Sequence, residues 1–183
     1  TANITQKSLT ATYTAANKVY DGGVNATGTS ASSDIIAGDT VTFTNTSSTF
    51  ANKTVGAGKT VSVSGISLTG ADAANYLLSN TTATATADIT QKSLTAAFTG
   101  NTKVYDGNTT ATVVGSSAQI VNGDAVTISN TGATFSDKNV GTGKTVSVAG
   151  ISIAGNDASN YNLTNLTAYT TATISAKGLS ISG

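Results

Sequence analysis

The feature that most constrains this chain is a repeat of 85 residues. The pentapeptide Lys-Val-Tyr-Asp-Gly occurs at residues 18–22 and again at residues 103–107. With that shift, residues 1–85 align with residues 86–170 without a gap, and more than half of the aligned positions are identical. A fixed, unbroken period indicates an array of equal structural units. Because each unit has the length of a small independent domain, the sequence predicts two domains rather than one.

The ends of the chain look like parts of further units. Residues 1–5 match the end of a repeat, and residues 176–183 match the start of the next. We therefore expect repeat domain 1 at residues 6–90, repeat domain 2 at residues 91–175, and a longer parent array. The hydrophobic alternation changes phase at residues 90–92 without a Gly- or Ser-rich linker, so we expect the units to follow one another as an elongated, stiff rod.

Composition favours strands and excludes several kinds of site. The chain has no Cys, His, Met, Trp or Pro, and its nine cations, all Lys, balance nine anions, all Asp. Abundant Thr, Gly, Ser and Asn, without Glu or Arg, favour strands joined by turns over helices. The zero net charge gives no field for nucleic acid, and no apolar run is long enough for a membrane helix. We therefore expect a monomer that binds no nucleic acid and does not insert into a membrane.

Alternating apolar residues predict the strands of each unit. Leu9, Ala11 and Tyr13 share one face of a first predicted strand over residues 7–14. At position 98 the second copy has Phe in place of Tyr13, which predicts a buried ring whose hydroxyl is dispensable.

The clearest predicted strand contains Val61 and Val63, and its phase then slips by one residue at Gly65. The second copy repeats the slip at Gly150. Because a one-residue slip sends side chains to the other face of a sheet, we expect a bulge or a sharp bend at both glycines.

The Tyr-Asp-Gly element allows two interpretations. Its aspartate is either a ligand of a bound group or a turn residue that bonds backbone amides while the tyrosine packs beneath it. We favour the turn, and we regard these residues as structural. They are Tyr20, Asp21 and Gly22 in the first copy, and Tyr105, Asp106 and Gly107 in the second.

A second recurrent motif places an aspartate four residues before a tyrosine, as in Asp72 and Tyr76, repeated at Asp157 and Tyr161. It resembles the tyrosine corner of immunoglobulin-like sandwiches, in which the phenol bonds backbone a few residues upstream. We therefore predict an all-β chain of two tandem antiparallel immunoglobulin-like β-sandwich domains, each of about seven strands. A β-grasp-like unit with one short helix, near residues 71–75 or residues 158–161, is the alternative.

The amino-acid composition limits the reactions that the chain could catalyse and the metals that it could bind. Without His and Cys, it has none of the commonest bases, nucleophiles and transition-metal ligands, so we predict no enzyme, no catalytic residue and no cofactor. We also predict no metal site, because the carboxylates form no Asp-x-Asp cluster. The weak calcium candidates are the recurrent aspartates Asp21, Asp39, Asp72, Asp106, Asp124 and Asp157.

Asn-x-Ser/Thr sequons occur at eight positions, among them Asn80 and Asn165. With Thr and Ser so common, many such matches arise by chance, and they give no support for glycosylation.

The recurring motifs resemble those of the YDG/MBG-type repeats of large bacterial surface adhesins, which include filamentous-haemagglutinin-like exoproteins. The resemblance rests on Lys-x-Tyr-Asp-Gly, the Lys-x-Val-Ser-Val-x-Gly-Ile-Ser strand, Asp-Ala-x-Asn-Tyr and the Ile-Thr-Gln-Lys-Ser-Leu-Thr junction, and it covers both copies. It implies an extracellular stalk module, mostly β, at the bacterial cell surface, and it carries no catalytic residue across.

We therefore expect spacer repeats of an adhesin, whose partners are neighbouring repeats and whose other domains bind host or biofilm glycans or proteins. The alternative is that the repeats themselves form a glycan- or protein-binding module, which needs an exposed aromatic cluster or a patch found in one unit only. Tyr169, aligned with Thr84, is the one aromatic gained by a single copy. We expect the recurrent aromatics, at positions 13/98, 20/105, 50/135 and 76/161, to lie in the core.

Overall fold

The computed structural model describes residues 1–181 and divides the chain into two compact units, Thr1–Gln91 and Lys92–Gly183. Within the described residues each unit has ten short strands and one 3₁₀ turn, and every element of unit 2 lies 85 positions after its counterpart. The chain is all-β, as the alternation predicted. No helix in residues 1–181 has the length and apolar character that a membrane span requires.

The elements of unit 1 are, in chain order, β1 (Lys7–Leu9), β2 (Thr12–Ala15), β3 (Lys18–Val19), β4 (Gly28–Ala31), β5 (Thr42–Thr44), β6 (Ser47–Phe50), β7 (Gly56–Ser64), β8 (Ser67–Thr69), a 3₁₀ turn (Ala73–Asn75), β9 (Tyr76–Leu78) and β10 (Thr82–Thr90).

The elements of unit 2 are, in the same order, β11 (Lys92–Leu94), β12 (Ala97–Gly100), β13 (Lys103–Val104), β14 (Val113–Ser116), β15 (Thr127–Ser129), β16 (Gly132–Phe135), β17 (Gly141–Ala149), β18 (Ser152–Ala154), a 3₁₀ turn (Ala158–Asn160), β19 (Tyr161–Leu163) and β20 (Thr167–Ser175).

Each unit contains one four-stranded sheet and three two-stranded ladders. In unit 1 the sheet has the order β3-β10-β7-β6, and the ladders are β1-β9, β2-β4 and β5-β8. Most pairs are antiparallel, but β1 runs parallel to β9 and β3 runs parallel to β10. Unit 2 repeats all of these pairings, including the two parallel ones.

The predicted first strand of each unit is two strands in the structure. β1 pairs with β9, whereas β2 pairs with β4, so the chain passes from one ladder to another near Ala11. Breaks of this kind give ten strands per unit instead of the seven that we expected. Alternation could not reveal the break, because Leu9, Ala11 and Tyr13 are all buried and keep their phase through it.

Gly65 lies between β7 and β8 in the left-handed region, with φ +66°, and Gly150 has φ +63°. β7 pairs with β6 and β10 whereas β8 pairs with β5, so the chain leaves the four-stranded sheet at this glycine. Val63 and Ile66, on either side of it, are both buried. The left-handed glycine therefore absorbs the one-residue slip. The pairing of β10 with β7 has its own register shift, which lies at residues 87–89 and not at this glycine.

The core of each unit is built from recurrent positions. In unit 2 one cluster joins side chains from four of its strands with three loop residues, and the half-buried Tyr105 packs against it. Seven of the eight aromatics at recurrent positions are buried, and Tyr105 is the half-buried exception. The buried apolar residues of unit 1 are Leu9, Ala11, Tyr13, Tyr20, Phe50, Val61, Val63, Ile66, Tyr76, Ala87 and Ile89.

We predict that Gly150→Ala destabilises unit 2 more than either of two matched glycine replacements. An alanine there must adopt a left-handed φ, which costs about 1–2 kcal/mol, and its Cβ would also lie 2.0 Å from Thr131 Oγ1. Gly143→Ala carries a similar φ in open space, and Gly132→Ala carries neither burden. Thermal unfolding should rank Gly132→Ala as the most stable variant and Gly150→Ala as the least stable. Equal melting temperatures for Gly143→Ala and Gly150→Ala would show that the close approach to Thr131 is unimportant.

Candidate functional site

Apart from Gly65 and Gly150, the sequence-predicted site residues fall into two polar clusters in each unit. The first is the lysine turn, residues 18–25 of unit 1. Lys18 Nζ donates hydrogen bonds to Asp21 Oδ1 (2.7 Å) and to the carbonyl oxygens of Gly23 (2.8 Å) and Asn25 (3.1 Å). Asp21 Oδ1 also accepts a hydrogen bond from the N–H of Gly23 (2.8 Å). The ammonium group and the carboxylate therefore hold the turn closed through these hydrogen bonds.

The lysine turn of unit 2, residues 103–110, has the same geometry with more partners. Lys103 Nζ donates to Asp106 Oδ1 (2.8 Å) and to the carbonyl oxygens of Asn108 (2.9 Å) and Thr110 (3.0 Å). The side-chain oxygen of Asn108 adds a further acceptor at 2.9 Å. The polar groups of this turn thus bond to one another.

Each lysine reaches its turn across an aromatic ring. Lys18 Nζ lies 5.5 Å from the centre of the Phe50 ring, and Lys103 Nζ lies 5.7 Å from that of Phe135. A cation over a ring face is attracted by the ring quadrupole, and it is attracted more strongly when it is partly shielded from water. These lysine side chains are only 16% and 18% exposed, so the lysine turn is anchored to the core.

The lysines control the ionisation of the turn carboxylates. The hydrogen bond from Lys103 is the main cause that lowers the pKa of Asp106, and the N–H of Asn108 assists it. Partial burial acts to raise the pKa of Asp21, but the hydrogen bonds from Lys18 and Gly23 outweigh it and leave that pKa lowered. Both carboxylates are therefore held in the charged form that bonds the lysine.

The second cluster is the tyrosine site, residues 36–40 and 70–76 of unit 1. The phenol of Tyr76 donates a hydrogen bond to Asp39 Oδ2 (2.6 Å) and accepts one from the N–H of Ile36 (2.8 Å). The phenol therefore joins the start of β9 to the loop between β4 and β5.

Unit 2 repeats the tyrosine site with the same distances. Tyr161 Oη donates to Asp124 Oδ2 (2.6 Å) and accepts from the N–H of Val121 (2.8 Å). This geometry differs from the tyrosine corner that the motif resembled, because the bonded backbone lies 40 residues upstream rather than a few. The tyrosine thus holds together segments that are distant in the sequence.

The aspartate that precedes each tyrosine pairs with the same loop. Asp72 Oδ2 accepts a hydrogen bond from the N–H of Thr40 (2.8 Å), and the N–H of Asp72 donates to the carbonyl of Thr40 (3.2 Å). In unit 2, Asp157 pairs with Ala125 in the same way. A Cβ on Gly70 would lie 2.3 Å from the Thr40 carbonyl oxygen, so only glycine permits this approach.

The structure brings together only part of the set of calcium candidates. Asp39 and Asp72 both belong to the tyrosine site, while Asp21 belongs to the lysine turn, and their counterparts in unit 2 divide in the same way. Each of these carboxylates accepts hydrogen bonds from the chain itself. Across residues 1–181 there is no group of three acidic side chains that could hold a metal ion.

Sequence reasoning missed Asn80 and its counterpart Asn165, which it noted only as sequons. Asn80 Oδ1 accepts from the N–H of Ala11 (2.8 Å), and its Nδ2 donates to the carbonyl oxygens of Ala11 (3.0 Å) and Thr82 (2.8 Å). The side-chain amide therefore replaces a strand partner where the chain passes from β1 to β2. Asn165 makes the same bonds. The available signal was an asparagine kept in both copies between positions that differ.

Three further surface features lie beside or outside these clusters. A cleft of about 320 Å³ lies between residues 4–7 and the tyrosine site of unit 1, where Tyr76 lines it although only 4% of the residue is exposed. A groove of about 470 Å³ runs along β4 and β5, with Phe43 in its wall. Tyr169, on β20, is 75% exposed.

We predict that Tyr76→Phe removes part of the alkaline instability of the protein. Burial and the hydrogen bond to Asp39 raise the pKa of Tyr76 above its ordinary value of 10.0. A group whose pKa is raised by folding contributes its full stability below its unfolded-state pKa, and that stability is lost as pH rises through the higher folded-state value. The variant should therefore melt at a lower temperature at neutral pH, because Asp39 and the N–H of Ile36 lose a partner, and its melting temperature should fall less steeply above pH 10.

Melting curves followed by circular dichroism across this pH range provide the measurement, and Tyr169→Phe, which removes an exposed hydroxyl, is the matched control. An alkaline decline of unchanged size in Tyr76→Phe would contradict the structural role assigned to the tyrosine site.

Comparison with known proteins adds one finding. A scan against family models matches the YDG domain twice, at residues 5–85 and 90–173. A search of curated proteins found no match, and neither did a search of solved structures. The two matches cover most of the chain, and each contains one lysine turn and one tyrosine site. The chain therefore belongs to the YDG domain family and carries the domain twice.

Proposed function

We propose that the chain is a structural spacer of a bacterial cell-surface adhesin, whose repeats hold a distal binding domain away from the cell. The observation that carries the proposal is that the recurrent polar side chains are engaged in hydrogen bonds within their own unit. The lysine turn and the tyrosine site bond the chain itself in both units, with nearly the same distances. Packing and turn residues are needed in every unit of an array, whereas an active site is usually needed once.

The connection between the units supports a stiff spacer. β10 ends at Thr90 and β11 begins at Lys92, so one residue separates the last strand of one unit from the first strand of the next. Flexible linkers depend on longer Gly- and Ser-rich segments. The single residue between β10 and β11 leaves no room for such a linker.

Within this proposal each unit is an immunoglobulin-like sandwich. Mostly antiparallel pairing and short strands support that arrangement. In the described residues the helical content is one three-residue turn per unit, which is too short to cover a sheet as the helix of a β-grasp unit does.

The proposal includes location and partners. The protein works outside the cell at the bacterial surface, as a monomer whose neighbours are further repeats of the same chain, and it performs no catalysis. A surface of Thr, Ser and Asn with zero net charge supports this role, because it offers little for adjacent copies to bind.

A binding role for the repeats themselves is the second candidate, and one observation favours it. Tyr169 is exposed on β20 opposite Ser147, at a position where unit 1 has Thr84. Tyrosine is enriched at interfaces because its ring is apolar and its hydroxyl can hydrogen-bond.

We predict that adhesion depends on the number of units and not on their surface. The two-unit chain is placed between a cell-surface anchor and a binding domain of known ligand, and variants carry one, two or four units. Capture of large ligand-coated beads should rise with unit number, while binding of the small soluble ligand stays constant. The chain alone should bind nothing on a glycan array.

Bead capture that is independent of unit number would contradict the spacer role. Glycan binding that is lost in Tyr169→Thr, an exchange that copies unit 1, would instead establish the second candidate.

A further inference from the structure

The first and last segments of each unit are joined by parallel ladders. In unit 1, β1 pairs with β9 in a register that sets Lys7 opposite Tyr76, and β3 pairs with β10 so that Val19 lies opposite Thr90. Unit 2 has the same two ladders. The other ladders of each unit are antiparallel.

The direction of pairing decides how a ladder responds to tension. When a unit is pulled by its ends, force enters the first segment from its N-terminal side and the last segment from its C-terminal side. In a parallel ladder these forces run in opposite directions along the same axis, so the hydrogen bonds are loaded together in shear. An antiparallel hairpin pulled at its open end separates one bond at a time.

We infer that the two parallel ladders form a mechanical clamp that resists tension between the ends of each unit. The inference deepens the proposed spacer role and rests on it only for its biological use, because the resistance itself follows from the topology. The clamp is defined by β1, β3, β9 and β10 in unit 1 and by β11, β13, β19 and β20 in unit 2.

Side chains reinforce the first ladder beyond its strand bonds. The N–H of Ser79 donates to the carbonyl of Leu9 (2.9 Å), and the two bonds between Asn80 and Ala11 extend the connection past the end of β1. Leu9 and Ala11 are buried at 0% and 4% exposure, so water cannot readily replace these bonds as they lengthen. In unit 2 the Leu94 carbonyl accepts the equivalent bond.

The lysine turn anchors the second ladder. The N–H of Tyr20 donates to the carbonyl of Thr90 (2.8 Å), and the hydroxyl of Thr90 donates to the carbonyl of Lys18 (3.3 Å). Because Lys18 is itself bonded to Asp21 and to two carbonyl groups, β3 cannot yield without opening its turn. The recurrent Lys-x-Tyr-Asp-Gly motif thus becomes the anchor of a load-bearing contact.

Unit 2 preserves this anchor despite a substitution in it. Ser175 stands where unit 1 has Thr90, and its carbonyl accepts a hydrogen bond from the N–H of Tyr105 (2.9 Å) while its hydroxyl donates to the Lys103 carbonyl (3.3 Å). Both copies therefore retain a hydroxyl residue at the end of the last strand.

Single-molecule force spectroscopy on the two-unit chain tests the inference. Because the chain has no cysteine, a pair of introduced cysteines fixes the points of attachment. Pulling through cysteines added at the two ends should give two unfolding events, each releasing roughly 300 Å of chain.

A second pulling direction is the control. Ser47 and Ser64 are exposed and lie opposite each other at the open end of the β6–β7 ladder, so Ser47→Cys with Ser64→Cys loads that ladder bond by bond. The force needed in this direction should be several-fold lower than the force needed from the ends. Equal forces in the two directions would overturn the clamp.

Variants of one unit use the other unit as an internal reference. Asn80→Ala should lower the force of one unfolding event and leave the second unchanged, and Asn80→Ala with Asn165→Ala should lower both. Asn45→Ala, at an exposed asparagine, should change neither event. Unchanged forces in the double variant would overturn the role given to these asparagines.

The outcomes separate this inference from the spacer role. Weak resistance from the ends, together with bead capture that still rises with unit number, would remove the clamp and leave the spacer. Strong resistance from the ends, together with bead capture that is independent of unit number, would leave the clamp and remove the spacer role.

Discussion

Each unit depends on the closure of its first strands onto its last strands. The chain enters through β1 and β3 and leaves through β9 and β10, and these strands pair directly in parallel. The lysine turn holds β3 in place, and Asn80 spans the gap where the first segment changes ladders. The remaining strands lie between these two segments in the sequence, so pairing of the two ends of each unit restrains the chain between them.

The two copies act as a natural test of which contacts matter, because they differ in matched pairs. In unit 1 the hydroxyl of Ser48 donates to Tyr13 Oη (2.8 Å), whereas unit 2 has Ala133 and Phe98 at these positions, both within its buried cluster. Replacing both partners of a buried hydrogen bond by apolar groups costs little, while losing one leaves the other unsatisfied. The hydroxyl of Tyr13 is therefore dispensable only where Ser48 is replaced by an apolar residue as well.

The features that depend on residues close together in the sequence were predictable from its pattern. Alternation identified the long strands, recurrence in both copies identified the aromatics of the core, and the phase slip at Gly65 marked the place where the chain leaves one sheet for another. The break near Ala11, the role of Asn80 and the phenol bond of Tyr76 to a loop 40 residues away were not predictable. Each of these depends on a partner distant in the sequence, and a single sequence gives no sign of which distant residues meet.

Small-angle X-ray scattering of the two-unit chain tests the proposed spacer role most directly, because that role requires β units that are stiffly connected. The account predicts the scattering of one extended, rigid particle whose longest dimension is close to the summed lengths of two units. A profile that requires two bodies free to swing about residues 90–92, or a single globular particle, would contradict it.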